Sequence, residues 1–217
     1  MTQAENALRR LVDEIDAYLA RLKGAVEGIA EVRRGIAKLG GGAFQPGEGR
    51  APICGSLTEA IELARSQGNG ALADAIAQAG PHLPWVTYDS YPRELIGARF
   101  PKAHAFVSLI GKGAPFDAED YDLGLFLIEP HTLYRDHRHL APELYAPITG
   151  PHRWRFGIDD PWKELAANVP VWNEPQRIHA TLVGDQPFLA IFGWTRDVTA
   201  PASVVPAPDW PAIEASL

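Results

Sequence analysis

The sequence predicts a mainly β protein, a closed barrel or sandwich, preceded by an α-helical extension. Three observations point there. Apolar residues recur every three or four positions over residues 4–39 and again, more briefly, up to residue 80. Beyond about Pro84 the β-forming residues become dense and the pattern shifts towards period two. Gly- and Pro-rich turns then separate many short runs, which favours a sandwich or barrel over a parallel sheet.

In chain order, Leu8, Leu11, Ile15, Leu19, Leu22, Val26, Ile29, Val32, Ile36 and Leu39 form one apolar stripe on an amphipathic helix. Gly24, Gly28 and Gly35 each cost helix about 1 kcal/mol relative to Ala, so a break or kink is expected among them. The stripe must bury against the barrel or against a partner chain, so the expected state is a monomer or homodimer. Gly40-Gly41-Gly42 ends the helix, and a loop runs to Gly55. Ser56-Leu57-Thr58-Glu59 has the form of a capping box, and a helix of about 11 residues is expected to follow. A short alanine-rich helix then covers Ala71–Gln78 and stops at Gly80-Pro81.

Strands are expected at Ala105–Ile110, Leu123–Ile128, Glu143–Ile148, Arg153–Phe156, Ile178–Val183 and Phe188–Phe192, with Trp85–Tyr88 and Val169–Trp172 as further edges. The organisation expected is therefore a helical extension over 1–83, a barrel over 84–200 and a Pro/Ala-rich tail over 201–217 lying on the surface.

Composition excludes several classes. A net charge of −7 and a pI near 5.5, with no basic run longer than two residues, argue against a nucleic-acid partner. The single cysteine, Cys54, rules out an internal disulfide or a cysteine-based zinc site and reads as a bystander thiol. The first residues lack the apolar core of a signal peptide, and no apolar run has the length of a membrane span. A soluble, cytoplasmic protein with a small-molecule partner is the expectation.

The chemistry concentrates in Tyr134–Gly150, YRDHRHLAPELYAPITG. On a strand His137 and His139 point the same way, and after Leu140-Ala141-Pro142 the pair Glu143 and Tyr145 shares a face too. Two imidazoles, a carboxylate and a phenol can thus converge on one point, a donor set suited to a divalent transition metal. H-x-H-x3-E-x6-G followed by a lone downstream histidine, His179, resembles the two-part motif of the cupins, which are jelly-roll β-barrels (double-stranded β-helices). The sequence departs from that motif where His131 and Gln176 stand at usual glycines and Val183 at a usual asparagine. Tyr134 before the histidines, Tyr145 after the glutamate and the tail PVWNEPQRIHATLVGDQPFLAIFGWTRD more narrowly resemble the dimethylsulfoniopropionate (DMSP) lyases of the DddQ type. The likeness covers about residues 85–200.

That resemblance implies one divalent ion (Zn, Fe, Mn, Ni or Co) on His139, Glu143, Tyr145 and His179, with His137 as a further ligand or a neighbour of the ligands. It implies a carbon–sulfur lyase that cleaves DMSP to dimethyl sulfide and acrylate by β-elimination. A phenol with a pKa near 10 becomes a usable base only beside a cation, so Tyr145 is the expected general base and Tyr134 the second candidate. Tyr134 is out of parity with the histidines and needs a loop or bulge to reach them. For the sulfonium, Trp154, Trp162, Trp172 and Trp194 offer aromatic faces, and Arg177 could assist the carboxylate. The alternatives are a cupin dioxygenase or isomerase acting on a small carboxylate, or a non-catalytic binding module.

Overall fold

A computed structural model describes residues 1–39 and 42–217, without the side chain of Leu39; Gly40 and Gly41 of the expected helix-ending run lie outside the described residues. The long amphipathic pattern folds as two helices, α1 (Gln3–Arg21) and α2 (Val26–Leu39). Thr2 caps α1 by accepting from the Glu5 amide. The chain breaks at Gly24 and Ala25, which take positive φ values of 91° and 44°, a conformation cheap for glycine. Gly28 and Gly35 stay inside α2 for a different reason: a Cβ there would lie 2.3 Å from Trp172 and 2.1 Å from Tyr121 respectively. Val26 leaves the stripe and is exposed.

Helices α3 (Leu57–Ser66) and α4 (Gly70–Ala79) complete the extension. The capping box does not form. Ser56 sits at φ −84°, ψ 2° rather than in the extended region, and its hydroxyl makes no cap bond. Two one-turn helices, α5 (Arg93–Ile96) and α6 (Phe100–Ala103), lead into the barrel.

The barrel strands are β1 (His104–Gly111), β2 (Phe116–Asp117), β3 (Asp122–Ile128), β4 (Thr132–Arg138), β5 (Glu143–Pro147), β6 (His152–Arg155), β7 (Lys163–Leu165), β8 (Val171–Asn173), β9 (His179–Val183), β10 (Phe188–Trp194) and β11 (Ser203–Val204), followed by α7 (Trp210–Ala215). They form a six-stranded sheet, β2-β1-β3-β10-β5-β8, facing a five-stranded one, β11-β4-β9-β6-β7. All pairs are antiparallel except β1 with β2. This is a cupin-type β-barrel with an N-terminal helical region.

The helical stripe buries on the barrel itself. Leu11, Ile15, Val32 and Ile76 share one core with Val107, Leu125, Leu144 and Ile191, the outer face of the larger sheet. Its inner face contributes Phe126, Tyr145, Phe188 and Phe192 to a second core between the sheets. Strands β1, β3 and β10 are therefore buried on both faces, and they read as near-continuous apolar runs rather than clean alternation.

Three expectations change here. Trp85–Tyr88 makes only an isolated bridge, Val86 to Phe106. Strand β4 falls outside the expected strand runs, because its inward side chains are Tyr134 and His137 rather than aliphatic. The tail does more than lie on the surface: β11 pairs with β4, and Trp210 of α7 is buried, donating its indole N–H to Asp136 (2.8 Å). No helix among the described residues is long and apolar enough to cross a membrane.

Candidate metal centre

Strands β4, β5 and β9 bring the polar residues together inside the barrel. His137 of β4 pairs directly with His179 of β9, and His139 follows one residue beyond the end of β4. Between the pairs Tyr134–Thr181 and His137–His179, β4 spends three residues against two on β9. That bulge resets the parity and aims Tyr134 inward, stacked on His137 at 4.0 Å between centroids.

The candidate ligand atoms of His137, His139 and His179 lie within 4.8 Å of one another, all buried. In each ring Nδ1 faces a backbone carbonyl: Arg135 O for His137 (2.8 Å), Ala141 O for His139 (2.7 Å) and Arg177 O for His179 (3.0 Å). In His137 and His179 the Nδ1–H donates to that carbonyl and leaves the Nε2 lone pair free, as a metal-binding imidazole requires, while His139 Nε2 meets the Glu143 carboxylate. Glu143 Oε2 sits 3.0 Å from His139 Nε2 and 3.3 Å from His179 Nε2. The second contact is poorly aligned, and His179 Nε2 has no hydrogen-bond partner. A buried ring nitrogen with no donor facing it, beside two more imidazoles and a carboxylate, fits a divalent cation.

The electrostatics agree. Burial, then the neighbouring His179 and His139 rings, push the pKa of His137 well below the ordinary imidazole value, so that ring is neutral. Burial opposes charge on His139 too, yet the Glu143 carboxylate prevails and raises its pKa. Burial alone would raise Glu143, but His139 and His179 hold it far below the usual carboxylate range. Burial is the largest of several effects keeping Tyr145 and Tyr134 well above the ordinary phenol value; Glu143 adds most to the first and Tyr91 to the second.

A cavity of about 180 Å³ opens over this cluster, lined by Glu143, Tyr145, Tyr134 and Trp194 together with Tyr88, Tyr91, Phe100, Phe106, Phe126, Phe192 and Asp122 among others. At about 30 Å³ per water, it has room for a small molecule only. Of the expected aromatic contacts, Trp194 lines the cavity and donates its indole N–H to Glu143 (2.7 Å). The others sit elsewhere. Trp154 is wholly buried beneath Tyr145, at 5.5 Å. Trp172 packs against α2 at Gly28 and bonds Glu174. Trp162 lies under the Arg155 guanidinium, and Arg177 stacks over Phe156. The Phe and Tyr walls were missed because they come from both sheets and from the connection before β1. Only the register Phe192–Tyr145, invisible in sequence, shows which aromatics point inward. Tyr91 is the clearest case, its hydroxyl 2.7 Å from that of Tyr134. Cys54 is buried away from the centre, and burial, aided by Glu129, pushes its thiol up to about 11.

Fold and centre together define a cupin with a buried three-histidine group able to hold a metal ion. The comparison with known proteins narrows that class. The family model for dimethylsulfoniopropionate lyases matches residues 32–190, and the chain belongs to this family of carbon–sulfur lyases. It is 27% identical to dimethylsulfoniopropionate lyase DddQ of Ruegeria pomeroyi over 207 residues, 95% of this chain and 98% of the relative. The crystal structure of DMSP lyase DddQ from Ruegeria pomeroyi superposes with a TM-score of 0.67 at 23% identity, covering 92% of this chain and 96% of that one. A chain from the crystal structures of the DMSP lyases RdDddP and RnDddQII gives 0.71 at 20% identity, covering 94% and 100%.

Proposed function

We propose that the protein cleaves dimethylsulfoniopropionate to dimethyl sulfide and acrylate, with His139, His179, Glu143 and Tyr145, joined by His137, holding one divalent metal ion and Tyr145 also acting as general base. The observation that carries this is a group of three buried imidazoles joined through Glu143 to one small cavity walled by Tyr134, Tyr145 and Trp194, in a chain of the DMSP lyase family. When bound, the ion supplies Lewis-acid polarisation of a carboxylate and the positive field that favours phenolate over phenol.

The residues do the rest. The aromatic walls exclude water and accept a cationic group against their faces. Tyr145, next to Glu143 on the cavity wall, takes the proton from the carbon α to the carboxylate. That C–H pair becomes the new C=C bond while the Cβ–S pair leaves with sulfur. Dimethyl sulfide departs neutral, so no general acid is needed. Tyr134, tied to Tyr91, orders the opposite wall and is the second candidate base.

Tyr145→Phe keeps the ring and removes the oxygen. Elimination should fall by about 10²–10⁴-fold, the range for a lost acid–base group, while plasma mass spectrometry of the same preparation finds the metal retained. Tyr134→Phe should lower activity less. Near-normal turnover in Tyr145→Phe at full metal occupancy would transfer the role of base to Tyr134.

A further inference from the structure

Of the cavity-lining residues only Asp122 and Glu143 carry charge, and both are carboxylates. Glu143 is committed to His139, His179 and Trp194. Asp122 is not. It forms no ion pair among the described residues, its Oδ1 is buried without a hydrogen-bond partner, and its interaction is with the Ser108 hydroxyl. The residue as a whole is half-buried, and burial pushes its pKa up to about 6 against the Ser108 bond.

Glu143 of β5 lies directly opposite Trp194 of β10, which lies directly opposite Asp122 of β3. Cross-strand partners share a face, so the three form one row on the inner wall. The carboxylates lie on strands two spacings apart, about 10 Å. One end of the row is the histidine centre. At the other is Asp122, which has no ion pair among the described residues and lines the cavity together with Phe106 and Phe192, rings that meet edge to face at 6.2 Å, while Trp194 stands between the two carboxylates on the wall.

We propose that Asp122 is the counter-charge for a cationic end group of the substrate, making the cavity selective for small onium carboxylates over neutral carboxylates of the same shape. This rests on the lyase reading above for its substrate and adds the residue that discriminates. The chemistry fixes the kinetic signature. The onium charge is present in the bound substrate and vanishes as the C–S pair leaves with sulfur. Attraction to Asp122 is thus no stronger in the transition state than in the ground state, and it acts on binding rather than on the chemical step.

The test uses two probes that resist elimination: β-alanine betaine, and its neutral isostere with a quaternary carbon in place of nitrogen. Binding to metal-replete protein is measured by calorimetry for the wild type and Asp122→Asn. The wild type should prefer the betaine by about tenfold or more, a factor worth about 1.4 kcal/mol. Asp122→Asn should abolish the preference by weakening the betaine alone, while KM for DMSP rises about tenfold and kcat holds or increases. Its thermal midpoint should stay level or rise, because Asn can keep the Ser108 contact and a carboxylate without a cation has gone. A preference that persists in Asp122→Asn overturns the proposal. So does an equal loss of both probes, or a falling midpoint with both probes lost, which would make Asp122 structural. If the wild type shows the Asp122-dependent preference yet releases no dimethyl sulfide, the counter-charge stands and the lyase reading falls.

Discussion

Asp136→Asn should be among the most destabilising single-atom-scale changes in the barrel. Asp136 is fully buried in β4 and receives the Arg155 guanidinium on both oxygens, through Nε (3.0 Å) and Nη2. Arg155, also buried, reaches on to Asp209, and Trp210 donates to Asp136 as well. The pair therefore ties β4, β6 and α7 together beneath the bulge that carries Tyr134 and His137. Removing one partner of a buried ion pair costs about 3–5 kcal/mol, because the other charge is stranded. Asn keeps an acceptor for Trp210, and Asp209 still faces Arg155, so the lower end applies, about 3 kcal/mol. At a urea slope of about 3 kcal/mol/M this moves the unfolding midpoint down by about 1 M. Asp209→Asn is the control. Its side chain is 41% exposed, so solvent screening limits its loss to about 1 kcal/mol. A loss below about 1 kcal/mol in Asp136→Asn, or equal losses in both variants, would refute this assignment of the pair.

Two further outcomes follow from packing and burial. His152 is buried with Nδ1 unpartnered, and burial draws its pKa down to about 4. The unfolded chain, with a pKa near 6.5, takes up its proton first, so this group costs nothing above that pH and removes stability as pH falls towards 4. The loss is about 2 kcal/mol between about pH 7.5 and about pH 5, and urea titrations of His152→Gln at the two pH values should lack it. Gly35→Ala gains about 1 kcal/mol of helix propensity, but its Cβ would lie 2.1 Å from Tyr121. A net destabilisation of about 1–3 kcal/mol is expected, whereas Gly70→Ala, with open space around it, should hold or gain in thermal midpoint.

Sequence carried the fold wherever one side of an element met solvent or a turn enforced a boundary. The stripe of α1 and α2, the break at Gly24 and the strands β5, β6, β9 and β10 that the turns bracket were legible for that reason, whereas β7 was not expected. The capping box was not, since a motif states only which atoms are available, while the backbone angle at Ser56 decides whether they meet. Strand β4 escaped the apolar pattern because its inner face is built for chemistry rather than packing. His137, His139, Glu143 and Tyr145 were visible as a cluster through local spacing, and His179 and Tyr134 through the family resemblance alone. The cavity walls were not, because Asp122, Phe192 and Tyr91 reach it through strand register and the path before β1. Among the tryptophans, only Trp194 faces Glu143, a fact set by the pairing of β10 with β5.

The central claim is elimination from a sulfonium carboxylate. Headspace gas chromatography, with acrylate determined in the same vial, tests it on metal-replete wild-type protein given dimethylsulfoniopropionate. The account predicts dimethyl sulfide and acrylate in equal amounts with no oxygen consumed. Folded, metal-loaded protein that binds the substrate yet releases no dimethyl sulfide, or that consumes oxygen while turning it over, would contradict it.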